Sequence, residues 1–114
     1  MDDNNEFCKS LIASTTTEPF GNDSLPNGLI FGEADEDESS ALARSLFAMG
    51  VSLIHPIDAE VFEGNIGVGK MVLALPKDPN QRAEIFKWNA ERASTLGFDG
   101  DEDEGQDHLF IMLD

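Results

Sequence analysis

Three aspartates at alternate positions, Asp99, Asp101 and Asp103, have the spacing with which a calcium loop begins. That chemistry also needs a glycine for a sharp turn and a bidentate glutamate to close the loop. Glu104 stands where the glycine is required and Phe110 where the glutamate is, so no dedicated calcium site is expected. Gly64-Asn65-Ile66-Gly67-Val68-Gly69-Lys70 carries the glycines and lysine of a phosphate-binding loop. Met71 replaces the magnesium-binding Ser or Thr, and a strand follows where a phosphate-cradling helix must start, so the stretch reads as a hairpin. His55 and His108 are separated, lack a partnered cysteine and read as structural residues on strands. Cys8 lies in an N-terminal tail and no nucleophile elbow is present, so nucleophilic catalysis has little support. Carboxylates are plentiful, but a general acid needs a desolvated pocket, whereas acids clustered in loops predict a solvated face. The expectation is no enzyme, no catalytic residue, no metal and no cofactor.

What remains is charge. Twenty-three Asp and Glu stand against seven Lys and Arg in 114 residues, a net charge of −16. Two runs concentrate it, Asp35-Glu36-Asp37-Glu38 and Phe98-Asp99-Gly100-Asp101-Glu102-Asp103-Glu104. Such a field repels phosphates, so direct binding of nucleic acid or an anionic membrane is not expected. It attracts a protein partner with a basic surface, including grooves that normally hold nucleic acid. One cysteine excludes an internal disulfide and fits a reducing compartment. No segment approaches the roughly 20 apolar residues of a membrane span, and the acidic N-terminus is unlike a signal peptide, so a cytoplasmic location is expected.

These residues must be positioned by one domain. Residues 1–28 read as a flexible tail, in which Phe7, Cys8, Leu11 and Ile12 have helical spacing and could dock as a short helix. Residues 29–114 form the domain. Leu29-Ile30-Phe31 reads as a first strand. Asp35 then caps a helix, with Glu38 completing a capping box; Leu42, Leu46 and Met49 form its buried face and Gly50 stops it. Capping accounts for acids there, though four in a row exceed the need. A second strand starts at Val51 and contains Pro56, so it is an edge strand or bulged. Glu63-Gly64-Asn65 turns into a long third strand, from Ile66 to Leu75. Asp78 and Pro79 open a second helix, whose face is Ala83, Phe86, Ala90 and Ala93, with Ile85 and Leu96 adjacent, Trp88 half-buried and Gly97 at its end. His108 to Leu113 is the last strand.

Strand, helix, strand, strand, helix, strand is the order of the ferredoxin-like α+β sandwich, a single antiparallel sheet with two helices on one face. Chain direction in that layout takes Asp35 to Glu38, the Glu60 and Glu63 hairpin and Asp99 to Glu104 to one end. Lys77 and Arg82 fall at the other.

The acid-rich start of an Ala- and Leu-rich helix that ends in Gly (Glu36, Ala41, Leu42, Leu46, Gly50), the ferredoxin-like order, and an aromatic-Asp-Gly after the second helix (Phe98-Asp99-Gly100) together resemble the family of the ribonuclease E inhibitor RraB. The resemblance spans roughly residues 28–104. Phe98 and Asp101 stand where that family usually has Tyr and Trp. It implies a non-catalytic regulator that binds a ribonuclease or its scaffold.

The expected function is thus an acidic regulatory protein that binds and inhibits a basic partner, such as a ribonuclease. Its partner-binding residues would be Asp35, Glu36, Asp37, Glu38, Glu63, Phe98, Asp99, Asp101, Glu102, Asp103 and Glu104. The alternative is an immunity or nucleic-acid-mimic protein that neutralises a toxin or DNA-processing enzyme. A small metal-dependent enzyme using the acidic loop is a third class. A domain that forms a homodimer through the sheet face opposite the helices is a fourth.

Overall fold

The computed structural model describes residues 3–15, 18–21, 23, 25, 28–32, 35–57, 59–95, 97, 103 and 105–113, the side chains of residues 3–5 and 62 excepted. The chain is α+β. In order it forms α1 (Asp3–Ser14), β1 (Leu29–Phe31), α2 (Glu36–Ala48), β2 (Ile54–Ile57), β3 (Glu60–Phe62), β4 (Asn65–Val68), β5 (Lys70–Ala74), α3 (Pro79–Thr95) and β6 (His108–Met112).

Local chemistry accounts for the helix ends. The Asp35 carboxylate accepts the Glu38 N–H at 2.8 Å and starts α2. The N–H of Val51 reaches the Leu46 carbonyl and that of Gly50 reaches Phe47, closing α2 in a Schellman turn. That turn needs a left-handed residue, and Gly50 supplies it at φ 103. Asp78 starts α3 in the same way, accepting from Gln81 at 2.9 Å. The buried stripe of α3 is Ile85, Phe86, Asn89 and Ala93, whereas Ala83 and Ala90 are exposed. The expected alanine face is therefore turned: Ile85 gains more than Ala by burial and takes the inner position.

The strands divide between two three-stranded sheets rather than forming one. The first has the order β1-β4-β3, with β1 parallel to β4 and β3 antiparallel to it. The second has the order β2-β5-β6 and is antiparallel throughout. The long third strand expected from Ile66 to Leu75 is present as β4 and β5, broken at Gly69. Within the second sheet β6 runs antiparallel to β5 and pairs with it directly, so no β1 lies between them as the ferredoxin-like layout requires.

Alternation along β5 and β6 separates two cores. Met71, Leu73, Leu109 and Ile111 face the large core with Leu46 of α2 and Ile85 of α3. Val72 faces the other way, with Ile57, Cys8, Leu11, Ile12 and Phe110. Helix α1 covers that second face. Cys8 is wholly buried there, and the Phe7 ring meets Phe110 edge-on at 5.3 Å. The sheet face offered for a second copy is, in this sheet, the face beneath α1.

Pro56 lies in an edge strand, and its missing N–H costs no ladder bond. Ile54 exchanges both backbone bonds with Phe20 on the outer side, so the Pro56 nitrogen also points outward. The edge of β1 is met by α2: the Phe31 N–H donates to the fully buried Ser39 hydroxyl at 2.8 Å. Ser39→Ala leaves that N–H buried and unpaired. It should lower stability by about 1–3 kcal/mol, read as a lower urea midpoint with an unchanged slope. An unchanged midpoint would mean that β1 does not depend on the hydroxyl.

Candidate functional site

The first acidic run sits on the opening turn of α2, where the partial positive charge of the helix N-terminus favours carboxylates. Two of its four acids have internal work. Asp35 caps the helix, and Glu36 accepts the Gly28 N–H at 3.3 Å. Asp37 and Glu38 are exposed. On the other side of Gly28 lies the β3–β4 turn. The Gly28 carbonyl accepts from Ile66 at 2.8 Å, and a side chain at position 28 would collide with the Gly64 carbonyl. Glu63, at φ 48, and Gly64, at φ 81, form this two-residue turn, as the hairpin reading of the glycine-rich stretch expected. Gly28 is thus the hinge between the first acidic run and the Glu63 turn. Asp35, Glu36, Asp37, Glu38 and Glu63 gather on this side of the protein, all exposed.

The second run behaves differently. Phe98, Asp99, Asp101, Glu102 and Glu104 lie outside the described residues. Asp103 is described, and it meets Arg82, the residue expected at the far end. The Arg82 Nη2 lies 2.7 Å from the Asp103 Oδ1 and its Nε 3.1 Å from Oδ2. Arg82 also donates to the carbonyls of Pro76 and Gln106 and lies over the Phe86 ring. It therefore ties the end of the acidic loop to the start of α3. The cause is the direction of β6. Because β6 is antiparallel to β5, it starts where β5 finishes, beside the start of α3 rather than its end. Asp103 then falls by Ala74, while Glu63 falls by Asn65, at opposite ends of the β4–β5 stretch. Nine residue steps would separate them by up to about 30 Å, less the bend at Gly69. The Arg82 hydrogen bond, with one from the Gly105 N–H, holds the Asp103 carboxyl below its ordinary range.

A second constellation was not legible from the sequence. His55 on β2 and His108 on β6 face each other across β5, edge to face, with ring centroids 6.0 Å apart. Alternation puts both on the α1 face, with His55 two residues from Ile57 and His108 two from Phe110. Burial, then the proximity of His108, lowers the pKa of His55. Burial also lowers that of His108; Asp107 opposes the shift and Lys9 of α1 adds to it. Register was the missing signal: only pairing through β5 brings positions 55 and 108 together.

Trp88, partly buried against the large core, lines an open groove of about 290 Å³ with Glu91, Arg92 and Thr95. Arg92 is already committed, donating to the Met112 and Leu113 carbonyls at the end of β6. Among the described residues no group of three or more His, Cys, Asp or Glu is placed to hold a metal ion. Nor is any helix among them long and apolar enough to cross a membrane. No family model, curated protein or solved structure matches the chain.

Two outcomes follow from this geometry. Arg82→Ala should leave the fold standing but return the Asp103 carboxyl toward its ordinary range, read by NMR titration; an unchanged titration would show that Arg82 does not hold it. The histidines favour the neutral form in the folded chain, so the unfolded chain binds protons first as pH falls. Stability from the pair is full above the ordinary value of 6.5 and is lost below it, toward the lowered folded values. Urea midpoints measured between about pH 8 and about pH 5.5 should fall in the lower half of that range, and His108→Gln should flatten the fall. A native midpoint independent of pH would contradict this linkage.

Proposed function

We propose that this chain is a non-catalytic acidic regulatory protein of the cytoplasm, which binds and restrains a protein with a basic surface. The partner class that fits the RraB resemblance is a ribonuclease. The observation that carries the proposal is the gathering of exposed acids around Gly28. Asp37, Glu38 and Glu63 extend there into solvent, and the backbone beneath them is set by Glu36 and by the tight turn. Placed on a fixed backbone, such carboxylates steer a cationic partner and orient its approach, which raises the rate of association more than it tightens the complex. In this reading only the element order is ferredoxin-like, with β3 added as a hairpin arm, while the pairing of β6 with β5 departs from that layout.

The test separates charge from structure. Asp37→Asn with Glu38→Gln removes two charges but leaves the Asp35 cap and the Glu36–Gly28 contact. Association with a basic endoribonuclease purified from the parent cell, followed by stopped flow, should slow roughly threefold to tenfold at low salt. Its salt dependence should become shallower, while the thermal midpoint drops only slightly, by the loss of two carboxylates from the α2 N-terminus. Equal rates and equal salt response for the two proteins would sink the proposal. Displacement of the ribonuclease by duplex DNA would point instead to mimicry of nucleic acid.

A further inference from the structure

Strand β3 is an open edge. It pairs with β4 alone among the described residues, and its register with β4 decides which of its atoms are free. In a two-residue hairpin the residues flanking the turn, Phe62 and Asn65, form a hydrogen-bonded pair, and the next pair outward, Val61 with Ile66, does not. An independent contact agrees: the Ile66 N–H donates to Gly28, on the β1 side, and so is turned away from β3. Val61 therefore directs its own N–H and C=O out of the sheet. Its side chain is 77 % exposed, the most exposed large apolar side chain among those described.

Each of the other edges is covered at least in part. Pro56, the Phe20 bridge and the Thr15 hydroxyl on the Pro56 carbonyl block β2. Ser39 takes the outward Phe31 N–H of β1, and Arg92 takes the Met112 carbonyl at the end of β6 and that of Leu113 beyond it. Proteins blunt unused edges by keeping them short or by placing proline, charged side chains or a covering segment on them; β3 is short, at three residues, but has no proline or lysine. It carries acids instead: Glu60 within the strand and Glu63 in the turn, both exposed.

The geometry points to β3 as a docking edge for an extended basic segment of a partner protein, which adds a fourth strand to the first sheet by pairing with Val61. This rests on the acidic-regulator reading above and names the part of the surface that does the gripping. Backbone bonds to Val61 give the grip. A β-branched residue of the partner lies against the Val61 side chain, and a neighbouring lysine or arginine, on the opposite face, meets Glu60. A second cation reaches Glu63. Charge decides against a second copy of this chain as the occupant. Edge-to-edge pairing of two β3 strands would bring Glu60 and Glu63 of both copies to one seam, inside a protein of net charge −16.

The probe is a fluorescein-labelled peptide of about ten residues that alternates arginine and valine, beside one that alternates glutamate and valine. Val61→Pro removes the outward N–H without removing a bond to β4, because that nitrogen does not face β4. Fluorescence anisotropy should show binding of the Arg–Val peptide only. Val61→Pro should weaken it about tenfold, as should Glu60→Lys with Glu63→Lys. Amide exchange at Val61, fast in the free protein, should slow on binding, and this reading stands even if the proline variant does not fold. Undiminished binding by the folded proline variant, or unprotected exchange at Val61 in the complex, would overturn the edge assignment. So would the absence of binding at millimolar peptide. The acidic-regulator reading is judged separately, by the association rate of the Asp37 and Glu38 variant.

Discussion

At Gly69 the backbone passes from one sheet to the other. The Val68 carbonyl accepts from Gly32, beside β1, while the Gly69 carbonyl accepts from Leu113, beyond β6. One extended stretch thereby serves as the middle strand of both sheets, and the other strands are placed by their register on its two halves. The two sheets come together beside this bend. The contact is close: a side chain on Gly32, at φ 59, would run into the Leu113 carbonyl. Changes at Gly69 would be felt both at the Gly28 end and at the Arg82 end, which are otherwise far apart.

Among the described residues the following acids do three kinds of work, and the last leaves them free in solvent. Asp35 and Asp78 hold helix N-termini. Glu36 and Asp103 tie segments together, the first through a backbone N–H and the second through Arg82. Asp37, Glu38, Glu60 and Glu63 stay in solvent. Neutralising a whole run would therefore mix a binding effect with a structural one. The distinction is invisible in the sequence, where Asp35-Glu36-Asp37-Glu38 reads as one block.

Legibility in the sequence followed the range of the interactions. Local ones could be read: the Asp35 and Asp78 caps, Gly50 as a helix stop, the turn at Glu63 and Gly64, and the edge character of the Pro56 strand. Each depends on a residue's own φ or on a bond spanning three to five positions. The face of α3 was read in part: Phe86 and Ala93 are buried as expected, with Ile85 beside them, but Ala83 and Ala90 are exposed, because alanine fits a buried or an exposed helical position equally well. The direction of β6 was beyond reach, because residues 96–107 are long enough either to cross the end of the sheet or to return along α3. That choice moved Asp103 to Arg82. It also set the register that brings His108 opposite His55. The place of α1 was half legible: Cys8, Leu11 and Ile12 had helical spacing, but nothing local says that Val72 and Ile57 await them.

Screening limits what the total charge can mean. At physiological ionic strength a charge is felt over about 8 Å, and the molecule measures 41 × 30 × 26 Å. A partner at the Gly28 end therefore experiences the acids of that end, and Asp103 contributes little to its encounter. The net charge raises the frequency of collision with any cation, and by itself selects none. Selection needs contacts at van der Waals and hydrogen-bond range, set against a backbone that does not move. Among the described residues, exposed acids, an unsatisfied strand edge and an exposed β-branched side chain coincide only on the β3 hairpin. Its backbone is held by the Gly64 turn on one side and by Gly28 on the other, so a strand that docks there meets a surface already ordered and loses less entropy in forming the complex.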